Sequence, residues 1–134
     1  MIPAGFLKAW AGTALFILAI DAVWLGLVAK GFYRSQLGEL MLESPRLSIA
    51  ALFYVMYSAA VVILASAPAA RSGSIQDALL LGAIFGFAAY GTYDITNLST
   101  LKNWPVMMSL VDIAWGTALT ALAAAAGFWL LRSS

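Results

Sequence analysis

Four long apolar stretches constrain this chain more than any other feature of its sequence. They cover about residues 6–29, 47–67, 78–98 and 106–131. Each is close to or above the roughly 20 residues that an α-helix needs to cross a bilayer. None alternates with the period of two that marks a half-buried strand, and four strands cannot close a membrane barrel. The sequence therefore predicts an all-α integral membrane protein, a four-transmembrane-helix bundle in which residues 1–134 form a single domain.

Composition excludes several other classes of protein. The 134 residues are 63% hydrophobic and 10% charged, whereas an ordinary globular domain carries about 25% charged residues. A chain with so few charges is neither a soluble globule nor a disordered segment. A net charge of +1 provides no basic surface for nucleic acid, so the expected partner is the lipid bilayer. Because Cys and His are both absent, we expect no disulfide, no metal site and no cofactor.

The ends and connectors of the stretches carry weaker signals. The first stretch continues past Asp21 without a small-residue cleavage site, so we expect a retained helix rather than a cleaved leader. In the connector 31–45, apolar side chains recur at helical spacing with charged side chains opposite them, which predicts a short interfacial helix between helices 1 and 2. A solvated connector is the alternative. Lys and Arg are divided almost evenly between the two sides of the membrane, so the sequence favours neither orientation.

Three aspartates lie inside the apolar stretches, and they carry most of the functional information. Asp21, Asp94 and Asp112 each lie seven to nine residues from the helix end that faces the first and third connectors, which places them roughly 10–14 Å below the membrane surface. Helices 1 and 3 run toward that surface and helix 4 starts from it, so the three carboxyl groups should converge in one half of the bilayer. A carboxylate at such a depth costs several kcal/mol unless it is paired, protonated or hydrated. The sequence therefore predicts a ligand- or proton-binding site.

Further side chains near these carboxyls complete the candidate site. Aromatic rings provide cation–π contacts, and the amide of Asn97 orients a ligand. The side chain of Lys102 either extends to the membrane surface or reaches back toward Asp94. These residues are Asn97, Trp24, Trp115, Tyr90, Tyr93 and Lys102. Two structural interpretations stay open. The aspartates could fix the helix register through hydrogen bonds, and the aromatic residues could be interface anchors, which suits Trp10, Tyr33, Trp104 and Trp129 in particular.

Small residues indicate where helices approach each other. Gly82 and Gly86 form a GxxxG pattern in the third stretch, and small or polar residues recur along one side of the fourth. Such patterns mark close helix packing in lipid. They fit either a contact inside one protomer or a contact between the protomers of a homodimer.

Several segments together resemble a known family. They are IDAVWLG, GFYRSQLG, ALFYVMY, LLLGAIFGFAAYGTYDITNLSTLKNWP and VDIAWGT, and they are similar to small bacterial predicted membrane proteins classed only as a domain of unknown function. The similarity covers nearly the whole chain. It implies a four-helix protein of the bacterial inner (cytoplasmic) membrane, and it suggests a link to membrane-lipid metabolism, but it implies no established activity.

The sequence is consistent with three different functions. The first is binding or proton-coupled transport of a small or cationic solute through the carboxylate cluster. The second is an accessory or structural membrane subunit that packs against itself as a homo-oligomer or against another membrane protein. The third is an intramembrane lipid-modifying enzyme, which is the least favoured, because the chain has no nucleophile elbow, metalloprotease motif or phosphate-binding loop. We therefore assign no catalytic residue.

Overall fold

The computed structural model describes residues 2–133, and within them it contains helices and no strand. The α-helices are α1 (Phe6–Val23), α2 (Lys30–Leu37), α3 (Leu47–Val61), α4 (Ala67–Ser72), α5 (Ile75–Thr100) and α6 (Val106–Arg132). A π-helical turn, Trp24–Val28, extends α1, a second one, Val62–Ser66, joins α3 to α4, and a 3₁₀ turn, Gly38–Leu40, follows α2. Four continuous helices are long and apolar enough to span a membrane: Phe6–Val28, Leu47–Ser72, Ile75–Thr100 and Val106–Arg132. This confirms the predicted four-helix membrane fold.

The second span extends beyond the end that the sequence indicates. Pro68 would be expected to stop the helix near residue 67, yet the helix continues to Ser72. Pro68 falls in the first turn of α4, directly after the π-helical turn Val62–Ser66. A proline lacks a backbone N–H, and the first turn of a helix is the place where that donor is not needed. The helix then ends at Gly73, which adopts the left-handed conformation that favours glycine.

Helices α5 and α6 pack against each other along their length, and glycines make this possible. Gly82 and Gly86 of α5 are both buried against α6. A Cβ atom at position 82 would lie 2.7 Å from the carbonyl oxygen of Thr120, and one at position 86 would lie 2.5 Å from the carbonyl oxygen of Gly116. The GxxxG pattern therefore serves a contact inside the protomer.

The connector helix α2 folds back onto the end of the bundle. Tyr33 is buried there with Ala29 and Met108, and Trp24 and Trp104 pack beside them. The interpretation of Tyr33 as an interface anchor is therefore wrong. Because its ring faces the bundle, its hydroxyl group reaches the interior at the level of the predicted aspartates.

The first half of α3 stands apart from its neighbours. Leu47, Ile49 and Phe53 are 72%, 61% and 61% exposed. Of the second span, it is mainly the π-helical turn Val62–Ser66 that packs against α5. The bundle is therefore closed at the end that holds the start of α1 and the end of α6, where Lys8 donates a 2.8 Å hydrogen bond to the Ser133 hydroxyl. At the other end it is open between α3 and α5.

Candidate functional site

Asp21 is held by side chains from two other helices. It lies in the last turn of α1 and is 5% exposed. The hydroxyl of Tyr54 in α3 donates a hydrogen bond to Oδ2, and the indole N–H of Trp115 in α6 donates to Oδ1 at 2.9 Å. The two donors come from different helices, so they hold the carboxyl group of Asp21 in a fixed position.

Asp112 of α6 receives its donor from the connector helix. The Tyr33 hydroxyl donates to Asp112 Oδ1 at 2.8 Å, and it accepts a hydrogen bond from the Trp24 indole N–H at 3.2 Å. Burial raises the pKa of Tyr33, and the negative charge of Asp112 raises it further, although the Trp24 hydrogen bond acts in the opposite direction. The phenol therefore stays protonated at neutral pH and acts as a donor to Asp112.

Asp94 of α5 lies behind Asp112. It is fully buried, and no hydroxyl, amide or indole donor in residues 2–133 reaches either of its carboxyl oxygens. The charged group that acts on Asp94 is the carboxyl of Asp112. Asp94 is therefore a buried carboxyl group without a hydrogen-bond partner in the part of the chain that the structure describes.

Two stacked indoles connect the environments of Asp21 and Asp112. The rings of Trp24 and Trp115 are almost parallel, at 7°, with centroids 4.3 Å apart. One indole donates to Tyr33 and the other to Asp21. Residues from α1, α2, α3 and α6 thus form a continuous polar and aromatic assembly inside the predicted membrane region.

This assembly forms one wall of a cavity of about 670 Å³. Both Asp21 and Asp112 line the cavity, and Arg46, at the start of α3, is the cation in its lining. The rest of the lining is aromatic or aliphatic: Leu25, Tyr33, Leu37, Ile49, Ala50, Phe53, Tyr54, Tyr57, Ala89, Tyr90, Tyr93, Met108 and Trp115. The cavity therefore combines a mostly apolar surface with two carboxyl groups at one point.

The cavity is open toward the gap between α3 and α5. Ile49 and Phe53 of α3 line it and are 61% exposed, and Tyr93 of α5 lines it and is 53% exposed. These residues lie within the segments that are apolar enough to span a membrane. The cavity is therefore open at the level of the segments that are apolar enough to span a membrane.

The structure brings together most of the candidate residues, but not all of them. Asp21, Asp112, Trp115, Tyr90 and Tyr93 line the cavity. Trp24 contacts the lining residues Tyr33 and Trp115 from behind, and Asp94 lies outside the lining. Asn97 is half-buried and lies outside the cavity lining, and Lys102 is exposed and forms no ion pair with Asp94.

Most lining residues are absent from the predicted site, and three of them donate to the carboxyls or carry a charge. Tyr54 and Tyr33 are hydrogen-bond donors to the carboxyls, and Arg46 adds the positive charge. The sequence offers Tyr54 as a hydrogen-bond partner, since a tyrosine in the middle of a membrane span requires one, but it does not place Tyr54 at the site. Nothing local distinguishes Tyr33 from an interface anchor, because its role depends on how α2 folds back.

Comparisons with known proteins identify the family of this chain but no activity. Residues 6–129 match a family described as predicted membrane protein, DUF2177. No curated protein and no solved structure matches the chain.

Proposed function

This chain belongs to the DUF2177 family of predicted membrane proteins, and we propose that it binds a small amphiphilic cation in the cavity between its helices. The observation that carries the proposal is the position of Asp21 and Asp112, two carboxyl groups in a lining that is apolar or aromatic apart from them and Arg46. We further propose that the protein works as a proton-coupled transporter in a bacterial inner membrane.

Charge supports a cationic ligand. When both are ionised, the two carboxyl groups of the lining carry two negative charges, and Arg46 offsets one of them. A ligand with a single positive charge then leaves the occupied cavity neutral. Charges buried away from water are stable only when they are compensated in this way.

The aromatic lining supports an amphiphilic ligand. The rings of Tyr54 and Trp115 lie next to Asp21 in the cavity lining, because both residues donate hydrogen bonds to its carboxyl group. A cation that reaches Asp21 therefore passes these two rings. Aromatic faces attract cations by about 0.5–2 kcal/mol each. The aliphatic side chains toward Arg46 favour an apolar portion on the same ligand.

A second candidate function rests on the exposed first half of α3. Its apolar side chains, such as Leu47 and Phe53, could pack against another membrane protein or a second copy of the chain, and the protein would then be an accessory subunit. Binding of a cation by the purified protein alone would argue against this alternative.

The proposal is tested with a lipophilic monocation, tetraphenylphosphonium, and the purified protein in detergent micelles. The fluorescence of Trp115 and Trp24 should change on binding, and calorimetry gives the affinity. We expect Asp21→Asn to weaken binding by about tenfold or more, because a buried charge pair is lost. The amide keeps one oxygen for Trp115, and the Tyr54 hydroxyl can rotate to accept from the new N–H, so the fold should be retained.

A matched control is Glu43→Gln, which removes an acidic charge from an exposed position in the connector. This variant should bind tetraphenylphosphonium as the wild type does. Wild-type protein that fails to bind, or equal affinities for wild type and Asp21→Asn, would overturn the proposed function.

A further inference from the structure

We propose that the opening between α3 and α5 holds the alkyl chain of the ligand, and that the ligand is a single-chain cationic amphiphile taken up from the bilayer. Its cationic group lies at Asp21 and Asp112, and its chain leaves the cavity between the two helices. This inference rests on the proposed function and names the class of cation that the same cavity binds.

Helix α2 closes the cavity at the end of the bundle that it covers. Tyr33 of α2 and Met108 of α6 both line the cavity there, and they are 6% and 1% exposed. They pack with Ala29, and Trp24 and Trp104 lie beside them. These side chains separate the cavity from the water at that end, so the side of the bundle is the more accessible route for a ligand.

The side of the cavity between α3 and α5 is open. Among the large apolar side chains of the lining, Ile49, Phe53 and Tyr93 are the most exposed, at 61%, 61% and 53%. All three lie in segments that are long and apolar enough to span a membrane. Apolar surface at this level of a bilayer contacts acyl chains. An alkyl chain in the opening is therefore continuous with the hydrocarbon layer.

Ring contacts limit the opening at its inner end. Tyr57 of α3 stacks on Phe85 of α5, with centroids 5.3 Å apart and ring planes at 17°. The Tyr57 hydroxyl also shares a 2.8 Å hydrogen bond with the hydroxyl of Thr120. Nearer the start of α3, Ala50 and Ala89 line the cavity from the two helices. Because both side chains are small, the helices leave space there for a narrow group such as one alkyl chain.

The charges of the lining determine the direction in which such a ligand lies. Asp21 and Asp112 attract the cationic group, and Arg46 at the start of α3 repels it. A cation in an apolar interior is stable only beside a compensating charge, whereas an alkyl chain is stabilised by the apolar surface that it covers. Ile49 and Phe53 provide such surface in the opening. The cationic group therefore lies inward and the chain outward.

The test is a series of alkyltrimethylammonium ions, from butyl to dodecyl, titrated into the purified protein in detergent micelles. An ion-selective electrode measures the free cation, and protein-free micelles give the fraction that partitions into detergent. Wild type should bind longer chains more tightly, by about two- to fourfold for each added methylene until the opening is filled. A cavity that recognises only the charged group would bind all members of the series equally.

Two neighbouring alanines of α3 provide a variant and its matched control. Ala50 lines the cavity and Ala51 does not, and both are exposed, so Ala50→Phe and Ala51→Phe should both fold. We expect Ala50→Phe to weaken binding of the dodecyl ion by about tenfold, the loss for roughly two methylenes that lose their contacts. It should bind the butyl ion nearly as wild type does. Ala51→Phe should bind both ions as wild type does.

The outcomes distinguish this inference from the proposed function. Equal affinities of wild type for the butyl and dodecyl ions, or equal affinities of Ala50→Phe and Ala51→Phe for the dodecyl ion, would overturn the inference. Binding of tetraphenylphosphonium that depends on Asp21 would leave the proposed function intact in that case. If neither tetraphenylphosphonium nor any member of the series binds, both proposals are wrong.

Discussion

At the scale of single residues, each carboxyl that lines the cavity has its own hydrogen-bond donors. Asp21 accepts from Tyr54 and Trp115, and Asp112 accepts from Tyr33. Hydrogen bonds to a charged acceptor contribute about 1.5–3 kcal/mol each in a protein interior. These donors therefore fix the two carboxyl groups in place before a ligand arrives, which lowers the cost of binding.

Tyr33→Phe tests the contribution of one donor. The change removes the hydrogen bond to Asp112 and leaves the Trp24 indole N–H without its acceptor, so the free energy of unfolding should fall by about 1–3 kcal/mol. Thermal unfolding in detergent measures the loss. Tyr93→Phe is the matched control, because the Tyr93 hydroxyl makes no hydrogen bond in the described chain. Equal stabilities for the two variants would contradict the donor role of Tyr33.

The contribution of the Tyr33 hydroxyl to the free energy of unfolding should decrease at high pH. Burial raises the folded-state pKa of Tyr33, so its contribution to stability is fully present below the unfolded value of about 10. It is lost as the pH rises through the higher folded-state value. Wild-type protein should therefore lose stability in strong alkali more steeply than Tyr33→Phe does.

The sequence predicts the positions of the carboxyl groups better than it predicts which residues form hydrogen bonds or ion pairs with them. A carboxyl inside an apolar span is recognisable wherever it occurs, and helix lengths give its depth. The partner of Asp112 comes from 79 positions earlier in the chain. Lys102 does not pair with Asp94, because α5 ends at Thr100 and Lys102 lies in the exposed connector that follows.

At the scale of secondary-structure elements, the seam between α5 and α6 positions the cavity wall. Gly116 of α6 lies directly against the ring of Tyr90 in α5, so any side chain there would displace the tyrosine. Gly82 and Gly86 bring the two helix backbones together on the same seam. Tyr90 and Asp112 can share one cavity because these glycines permit the close approach.

Gly86→Ala tests the seam. Its Cβ would meet the Gly116 carbonyl oxygen at 2.5 Å and the Thr120 side chain at 2.7 Å, so the helices must separate. We expect a loss of about 1–3 kcal/mol in the free energy of unfolding. Gly91→Ala, in the same helix with nothing within 4 Å of its Cβ, should be neutral or slightly stabilising because alanine favours a helix by about 1 kcal/mol over glycine. Similar losses for both variants would show that the seam is not tightly packed.

The elements themselves could be predicted, but their packing could not. Length and hydropathy are enough to define four spans, and the connector pattern offers a helix as one of two alternatives. The first and second spans are apolar on all sides, so no polar stripe indicates which of their faces is inside. The fourth span does carry a side of small and polar residues, and Ser109, Gly116 and Thr120 of that side are buried. The separation of α3 from α5 depends on tertiary packing, and the sequence holds no local signal for it.

At the scale of the whole molecule, the bundle is closed at one end and open at the other. The closed end is packed around buried side chains such as Ile17, Val61 and Phe128. The open end holds the carboxyl groups, the aromatic lining and the gap between α3 and α5. This asymmetry gives the cavity an apolar entrance and a negatively charged interior, which is the arrangement expected for an amphiphilic cation.

The most direct test of this account compares two ligands of the same shape and opposite charge. Tetraphenylphosphonium and tetraphenylborate are titrated into wild-type protein in detergent micelles, with empty micelles as the control for partitioning. We expect the cation to bind with a defined stoichiometry and at least about tenfold more tightly than the anion, a difference of 1.4 kcal/mol or more in the free energy of binding. Equal affinity for the two ions would mean that the cavity selects apolar shape alone, and it would contradict the role assigned to Asp21 and Asp112.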